Sequence, residues 1–442
     1  MDAADRIRQA ARLDAIEGRF DRLLLGAALA LACIGIVMVA SASIAIAEGL
    51  GVGSFYFVGR HALFIAVGGV LAYVLMRSEL KDVERYSQLC LLLSVAALLA
   101  VFLPGLGKEV NGARRWLNLG VSNFQAVEAV KLMFIVWLSS YLVRNRDEIG
   151  HSWKALLKPL GATGLIVLIL LAQPDFGSGL LLLSIAGGLL LLGGANLPRL
   201  LGLAAGGLVL VALVAIAEPY RVRRLTSFLN PWEDPFADGF QLTQALIAVG
   251  RGEFFGVGLG GSVQKLFYLP EAHTDFIMAV IAEELGFIGV VAVLALFAVV
   301  VWRAFSIGLR CIDMRRPFAG YSAFGIGLWI GLQTFVSVGV NLGLLPTKGL
   351  TLPLISSGGS SVMMTCVAFG LLLRVSYELD RAERQVARVR GEETGLVRRA
   401  AAAAPAPDFV PSKAPLPVAA STAVVRGPRG SRARIEPTLG AV

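Results

Sequence analysis

Along most of its length the chain shows neither the alternation of a half-buried strand nor the stripe of an amphipathic helix. Its apolar residues come instead in long uncharged runs. A helix that is hydrophobic all round is one surrounded by lipid or by other buried helices. Crossing a ~30 Å hydrocarbon core takes roughly 20 residues as helix. About ten runs meet that length, near 23–47, 56–76, 86–103, 124–143, 156–173, 176–194, 199–217, 276–302, 318–342 and 357–375. The pattern predicts an all-α integral membrane protein: a lead-in over 1–21, a ten-span unit over 22–378 with a large loop at 218–275, and a tail over 379–442.

Composition supports this class. Of 442 residues, 56% are hydrophobic and 16% charged, with a mean hydropathy of +0.72, whereas soluble domains average about 25% charged residues. Cys33, Cys90, Cys311 and Cys366 lie in or beside apolar runs without CxxC spacing, and there are only 3 histidines. Neither a disulfide framework nor a zinc site is expected. The net charge of +9 would imply nucleic acid only if it formed a basic face. Here the cations flank the spans, so no nucleic-acid partner is expected.

Lys and Arg mark cytoplasmic loops. Arg6, Arg8, Arg12 and Arg19 precede the first span, and one orientation puts Arg77/Lys81/Arg85, Arg144/Arg146/Lys154/Lys158, Arg199 and Arg303/Arg310/Arg315/Arg316 on the same side. Both termini are then cytoplasmic. No cleavage site follows the lead-in, so the first span reads as an anchor, and the lead-in as a segment lying on the inner leaflet. After Arg374 the chain turns Ala/Pro/Arg-rich, which predicts a disordered tail.

A second set of cations breaks the rule: Lys108, Arg114 and Arg115, then Arg221, Arg223, Arg224, Arg251 and Lys265, then Lys348. Positive charge kept on the outer side points to an anionic ligand there, with Trp116 as interface anchor or stacking platform. The alternative is an aromatic-belt Trp beside arginines that touch lipid phosphates. Ser122-Asn-Phe-Gln125 reads as a capping box opening the next span. Glu128 and Lys131 follow on one face, roughly 9–14 Å below that start. Neither is stable facing lipid, so they form a structural ion pair or point into a polar cavity.

Further along, Asp175 is placed to cap a span that Pro174 separates from the one before. Asp238-Gly-Phe-Gln241 resembles a capping box for a helix lying on the membrane surface. Gly256-Val-Gly-Leu-Gly-Gly261 matches G-x-G-x-x-G, but no βαβ unit surrounds it. It reads as flexible glycines between surface helices, and no organic cofactor is expected.

Tyr268-Leu-Pro-Glu-Ala-His-Thr-Asp275 ends the large loop at the mouth of a span. A carboxylate there is costly to desolvate; Asp275 is either a helix cap, with Thr274 as the other candidate, or a catalyst. Glu283 and Glu284 extend an acidic line inward, about two turns below Asp275. The Pro/Gly/Ser stretch 345–361 sits at membrane depth and must be buried in protein or line a cavity. The ligand these features share is a lipid bearing phosphates and a polar head. One class is an enzyme using Asp275 as base on a lipid pyrophosphate. The other is a lipid flippase with Glu128, Lys131 and Glu283 as relays; it should show internal repeats, which the sequence lacks.

The chain resembles the SEDS family (shape, elongation, division and sporulation) over residues 20–378. The resemblance is carried by Arg114-Arg-Trp-Leu, Gln173-Pro-Asp-Phe-Gly, Asn230-Pro-Trp-Glu-Asp-Pro, Gly239-Phe-Gln, Tyr268 to Phe276, Glu283-Glu-Leu-Gly and Gly343 to Pro353. Leu-Pro-Glu-Ala-His-Thr-Asp and Pro-Thr-Lys-Gly-Leu-Thr are similar to the division branch rather than the elongation-type homologue RodA. The resemblance implies a ten-span glycosyltransferase of the bacterial inner membrane. It would polymerise lipid II at the septum with a class B penicillin-binding protein and other divisome membrane proteins.

It also implies Asp275 as the essential acid, Glu128 and Lys131 as a cavity acid–lysine pair, and Trp116 as the outer-loop Trp. Arg114, Arg115, Trp116, His273, Lys348 and Ser360 are the candidates for substrate binding. A divalent cation, Mg or Mn, is the one cofactor left open. Asp275 would take the proton of the attacking sugar hydroxyl, giving inversion in one displacement, while cations neutralise the departing pyrophosphate. The chain departs from the family pattern at Ala126-Val127, Ser357 and Phe267, which bears on local pocket shape and activation.

Overall fold

The computed structural model describes residues 16–403, apart from 111, 119, 121–122, 217–227, 238, 267 and 348. It divides into units Met1–Arg388 and Val389–Val442. Helices stand where the apolar runs predict them: α1 (Arg22–Gly49), α2 (Tyr56–Arg77), α4 (Ser87–Ala100, after a short α3, Leu80–Arg85), α5 (Ala126–Arg144), α6 (Trp153–Ala172), α7 (Phe176–Leu192), α8 (Leu197–Ile216), α10 (Ile277–Asp313), α11 (Pro317–Asn341) and α12 (Gly359–Ala403). Among the described residues, 7 helices are long and apolar enough to cross a membrane, with α4 and α7 as shorter apolar companions. This is a multi-pass membrane protein.

Burial, which the flat hydrophobic runs could not reveal, sorts the helices. The apolar window of α5 is 83% buried and that of α11 is 72% buried, while α2 is only 11% buried. α5 and α11 form the centre of the bundle, and α2 lies at its rim with Leu63, Val70 and Val74 exposed. Small residues permit the close approaches, as lipid supplies no hydrophobic drive between helices. A Cβ on Gly308 of α10, for example, would run into the Phe324 ring of α11.

The segment 104–125 is not an irregular loop. It forms an antiparallel sheet in the order β1-β2-β3, from Gly107–Val110, Ala113–Asn118 and Asn123–Gln125. The capping box expected at Ser122–Gln125 is therefore corrected. Asn123 to Gln125 pair with Trp116 to Asn118, Ser122 lies outside the described residues, and α5 starts at Ala126 without a side-chain cap.

α10 is broken. Gly286 adopts φ 65°, ψ −163° inside it, conformations open essentially to glycine alone. The freed backbone groups find partners in the glycine-rich segment: Val257 N donates to Glu283 O at 2.9 Å and Gly258 N to Glu284 O at 3.0 Å. In return Phe287 N donates to Glu253 O at 3.1 Å and Ile288 N to Phe254 O at 3.3 Å. The glycines that matched G-x-G-x-x-G are thus a splint for a membrane helix, where unsatisfied backbone is intolerable. α9 (Phe240–Gly252) packs against α10, burying Leu242, Ala245 and Ala248. Its N-cap is Gly239; Asp238, the expected cap, is outside the described residues. Gly286→Ala should cost about 1–3 kcal/mol from the backbone alone, and its Cβ would meet Gly256 N and Phe254 O. A thermal unfolding scan in detergent checks this, and an unchanged midpoint would refute the splint.

The tail expected to be disordered from 379 is helical through Ala403 in α12. Leu379 and Ala382 are buried. Ion pairs Arg374–Glu378 at 3.0 Å and Arg384–Asp380 at 2.6 Å support the helix at i,i+4 spacing. Arg316–Glu378 at 3.2 Å and Arg310–Glu383 at 3.0 Å tie it to the bundle. Residues 1–15 and 404–442 are outside the described residues.

Candidate functional site

The sheet aims its residues through an irregularity, since a β-bulge inserts one extra residue and redirects the side chains around it. In the register of β1 and β2, Arg114 is matched with Glu109 and Trp116 with Lys108, so Arg115 is the extra residue of a bulge between them. Arg114 pairs with Glu109 at 3.1 Å, and both side chains are more than half exposed at 59% and 52%. Arg115 reaches the link between α6 and α7, where Nε donates to Gln173 O at 3.1 Å and Nη2 to Pro174 O. That link is itself fixed, for Asp175 caps α7 as expected, accepting from Ser178 N at 3.3 Å. Trp116 lies across from Lys108 and Gln125. Gln125 N donates to Ser360 Oγ at 3.3 Å, joining the sheet to the first turn of α12.

One turn below the sheet, Lys131 Nζ is 2.8 Å from Glu128 Oε2, with side-chain exposures of 0% and 6%. Lys131 also donates to Gln333 Oε1 at 2.8 Å and lies 4.9 Å from the centre of the Trp329 ring. Desolvating an ammonium this far is tolerable only with such a set of partners.

Asp275 is not a cap. The N-cap position of α10 is Phe276, with no side-chain bond to the helix. Asn341 serves instead, its Oδ1 accepting from Ala279 N at 3.0 Å and its Nδ2 donating to Asp275 O at 2.9 Å. Thr274, the other expected cap, donates to Glu271 Oε2 at 2.6 Å. Among the described residues no hydrogen bond engages the Asp275 carboxylate, which faces Gly349, where a Cβ would come 2.8 Å from Oδ2. Burial and then the Glu271 carboxylate push its pKa up to about 7, against the pull of Arg115. A carboxyl poised near neutrality is matched to general-base work.

The other sequence candidates divide. His273 anchors the stretch before α12 through its backbone, accepting from Ser357 N at 2.9 Å, with its ring 5.0 Å from that of Phe57. Burial, opposed by Glu271, lowers its pKa. Lys348 lies outside the described residues. Glu283 and Glu284 do not continue a line from Asp275. Glu283 accepts from Arg251 Nη1 at 2.9 Å and Val263 N at 3.1 Å; Glu284 accepts from Lys265 Nζ at 2.6 Å and Ser41 Oγ at 2.7 Å. Two loop cations that suggested an anionic ligand are thus committed to buried acids. Sequence reasoning missed Trp329, Gln333 and Asn341; the one trace was polar side chains recurring in an otherwise apolar span.

Arg115→Ala provides a test of the electrostatics. Loss of the charge that holds the Asp275 carboxyl down should move the acid limb of the pH–rate profile to higher pH. Arg114→Ala, its charge on an exposed pair, should leave that limb in place. Equal shifts would contradict this division between the two arginines.

The profile of the FtsW/RodA/SpoVE cell cycle protein family matches residues 21–381. The chain belongs to this family. It is 60% identical over 382 residues to the probable peptidoglycan glycosyltransferase FtsW of Xanthomonas oryzae pv. oryzae, covering 86% of this chain and 77% of that relative. It is 50% identical to the same-named protein of Alkalilimnicola ehrlichii, covering 86% and 94%. Among solved structures it is similar to a chain from work on polymerization and crosslinking by a peptidoglycan synthase complex. That match has TM-score 0.67 and 28% identity, and covers 81% of this chain and 98% of that one. It is also similar to the rod shape determining protein RodA of Thermus thermophilus, with TM-score 0.60, 27% identity and coverage of 81% and 96%. In this family member, then, the sheet, the Lys131 cluster and Asp275 gather at one end of the bundle around α5, α10 and α11.

Proposed function

We propose that the chain is a peptidoglycan glycosyltransferase that polymerises lipid II, with Asp275 as general base. The observation that carries this is the state of Asp275. It is a half-buried carboxyl held by its backbone, released from capping and raised to about 7, in a chain 60% identical to a protein named as such a transferase. Asp275 would accept the proton of the attacking sugar hydroxyl while the bond to the lipid pyrophosphate breaks on the opposite face, inverting the sugar centre. Arg115, oriented by two main-chain carbonyls, and Lys131 would meet the developing charge on the pyrophosphate. Trp116 and Arg114 would meet the substrate head at the rim, with Ser360 and His273 holding the walls. Mg or Mn finds no ready-made ligand set, since among the described residues no three His, Cys, Asp or Glu converge; no step is assigned to a metal.

The loop charges support an orientation with both termini cytoplasmic and the sheet outside. The names of its relatives and the synthase complex it resembles support action at the septum beside a class B penicillin-binding protein and other divisome proteins. The test is incubation of purified protein with lipid II, with and without that partner, followed by separation of glycan polymer on a gel. Polymer that disappears with Asp275→Ala supports the proposal. Movement of lipid II across liposome bilayers without polymer would replace it with the flippase.

A further inference from the structure

Helix α11 carries Gln333 and Asn341 in an apolar span, eight residues and roughly 12 Å apart along its axis. They are 1% and 0% exposed. Gln333 Oε1 accepts from Lys131 Nζ at 2.8 Å and from Trp329 Nε1 at 2.7 Å, while its Nε2 donates to Thr351 O at 2.8 Å. Two donors on one side and a carbonyl on the other fix the sense of the amide. Asn341 holds Asp275 O and Ala279 N, and also donates to Ser337 O at 2.8 Å. Thr351 in turn stands two residues from Gly349, the backbone wall of the Asp275 carboxylate. A single rigid helix therefore grips the buried ammonium, the main chain of the acid and the loop facing that acid.

We propose that Gln333 and Asn341 are positioning residues that set the spacing between the Lys131 ammonium and the Asp275 carboxylate. They register the charge-neutralising and proton-accepting ends of one sugar–pyrophosphate substrate. Both amides commit their oxygen and nitrogen to protein partners, so they act through Lys131 and Asp275 without touching substrate. Packing alone would be served by Leu or Met, since a buried amide adds specificity of arrangement more than stability. The assignment rests on lipid II polymerisation with Asp275 as base, and the experiment keeps the two apart.

Polymerisation rates would be measured with lipid II and the penicillin-binding partner across pH for wild type, Asp275→Asn, Gln333→Met, Gln333→Glu and Asn341→Asp. Gln333→Met should lower kcat about 10²-fold, the scale of a 1 Å misplacement, with KM for lipid II within about threefold. Its acid limb should stay put, because Glu271, Arg115 and the Asp275 backbone are untouched. Gln333→Glu keeps the acceptor for Lys131 and Trp329 but turns an oxygen toward Thr351 O. It should also lose kcat, and it serves if the Met variant does not fold. Asn341→Asp keeps the bond to Ala279 N, loses the one to Asp275 O and adds a like charge, so its acid limb should move to higher pH. A merely structural role predicts less folded protein but unchanged kcat per folded molecule and an unmoved limb, and that result overturns the proposal. Inactive wild type would instead overturn the transferase assignment. Active wild type with dead Asp275→Asn and fully active Gln333 and Asn341 variants would sink the positioning role alone.

Discussion

Asp275→Asn should reduce lipid II polymerisation by about 10²–10⁴-fold, the usual contribution of a positioned general base, while making the protein more stable at pH 8. Both effects follow from one property. In an unfolded chain this carboxyl titrates near 3.8, and in the fold near 7. Between those values the folded state keeps a proton that the unfolded state has lost, so the stability this group contributes falls as pH rises from about 4 to about 7. Asparagine cannot ionise and escapes that loss. Melting midpoints of wild type and variant should therefore agree near pH 4 and separate, variant higher, at pH 8. The wild-type rate should rise through an apparent pKa near 7 to an alkaline plateau, because the base works ionised. A variant that polymerises at full rate, or a wild-type rate flat from pH 5 to 9, would remove Asp275 from the chemistry.

The spans were legible because a run of about 20 apolar residues has few other uses. Asp175 was legible because Pro174 and Ser178 leave it one local partner. The sheet was not. Its strands run 3 to 6 residues with no apolar alternation, held by Gly112 in the left-handed region and a bulge at Lys108/Glu109. The break at Gly286 was hidden because Glu-Leu-Gly-Phe-Ile-Gly reads as ordinary span, and only tertiary partners at 253–258 make the break tolerable. Asp275 stood open between cap and catalyst until Asn341, 66 residues away, was seen to supply the cap. The tail misled through its composition, whose Ala, Arg and Glu are as fit for helix as for disorder.

Glu128→Leu should destabilise the fold by about 3–5 kcal/mol, whereas Glu128→Leu with Lys131→Met should recover most of that loss and still not polymerise lipid II. Removing one member of a buried pair strands the other charge, and the cost is the desolvation left uncompensated. Gln333 and Trp329 remain around Lys131, but neither carries a negative charge. Replacing both members by apolar groups of similar volume removes the stranded charge and is often neutral. Lys131→Met fits a site already walled by the Trp329 ring. If the ion pair existed only to hold α5 in the bundle, the double variant would regain activity along with stability. If Lys131 meets charge developing on the pyrophosphate, the refolded double variant stays about 10²–10³-fold below wild type, as for loss of one preorganised stabilising group. Denaturation midpoints and polymer yields measured on the same preparations decide between them. A double variant as active as wild type would leave Glu128 and Lys131 a packing device, and Arg115 would then carry the charge neutralisation alone.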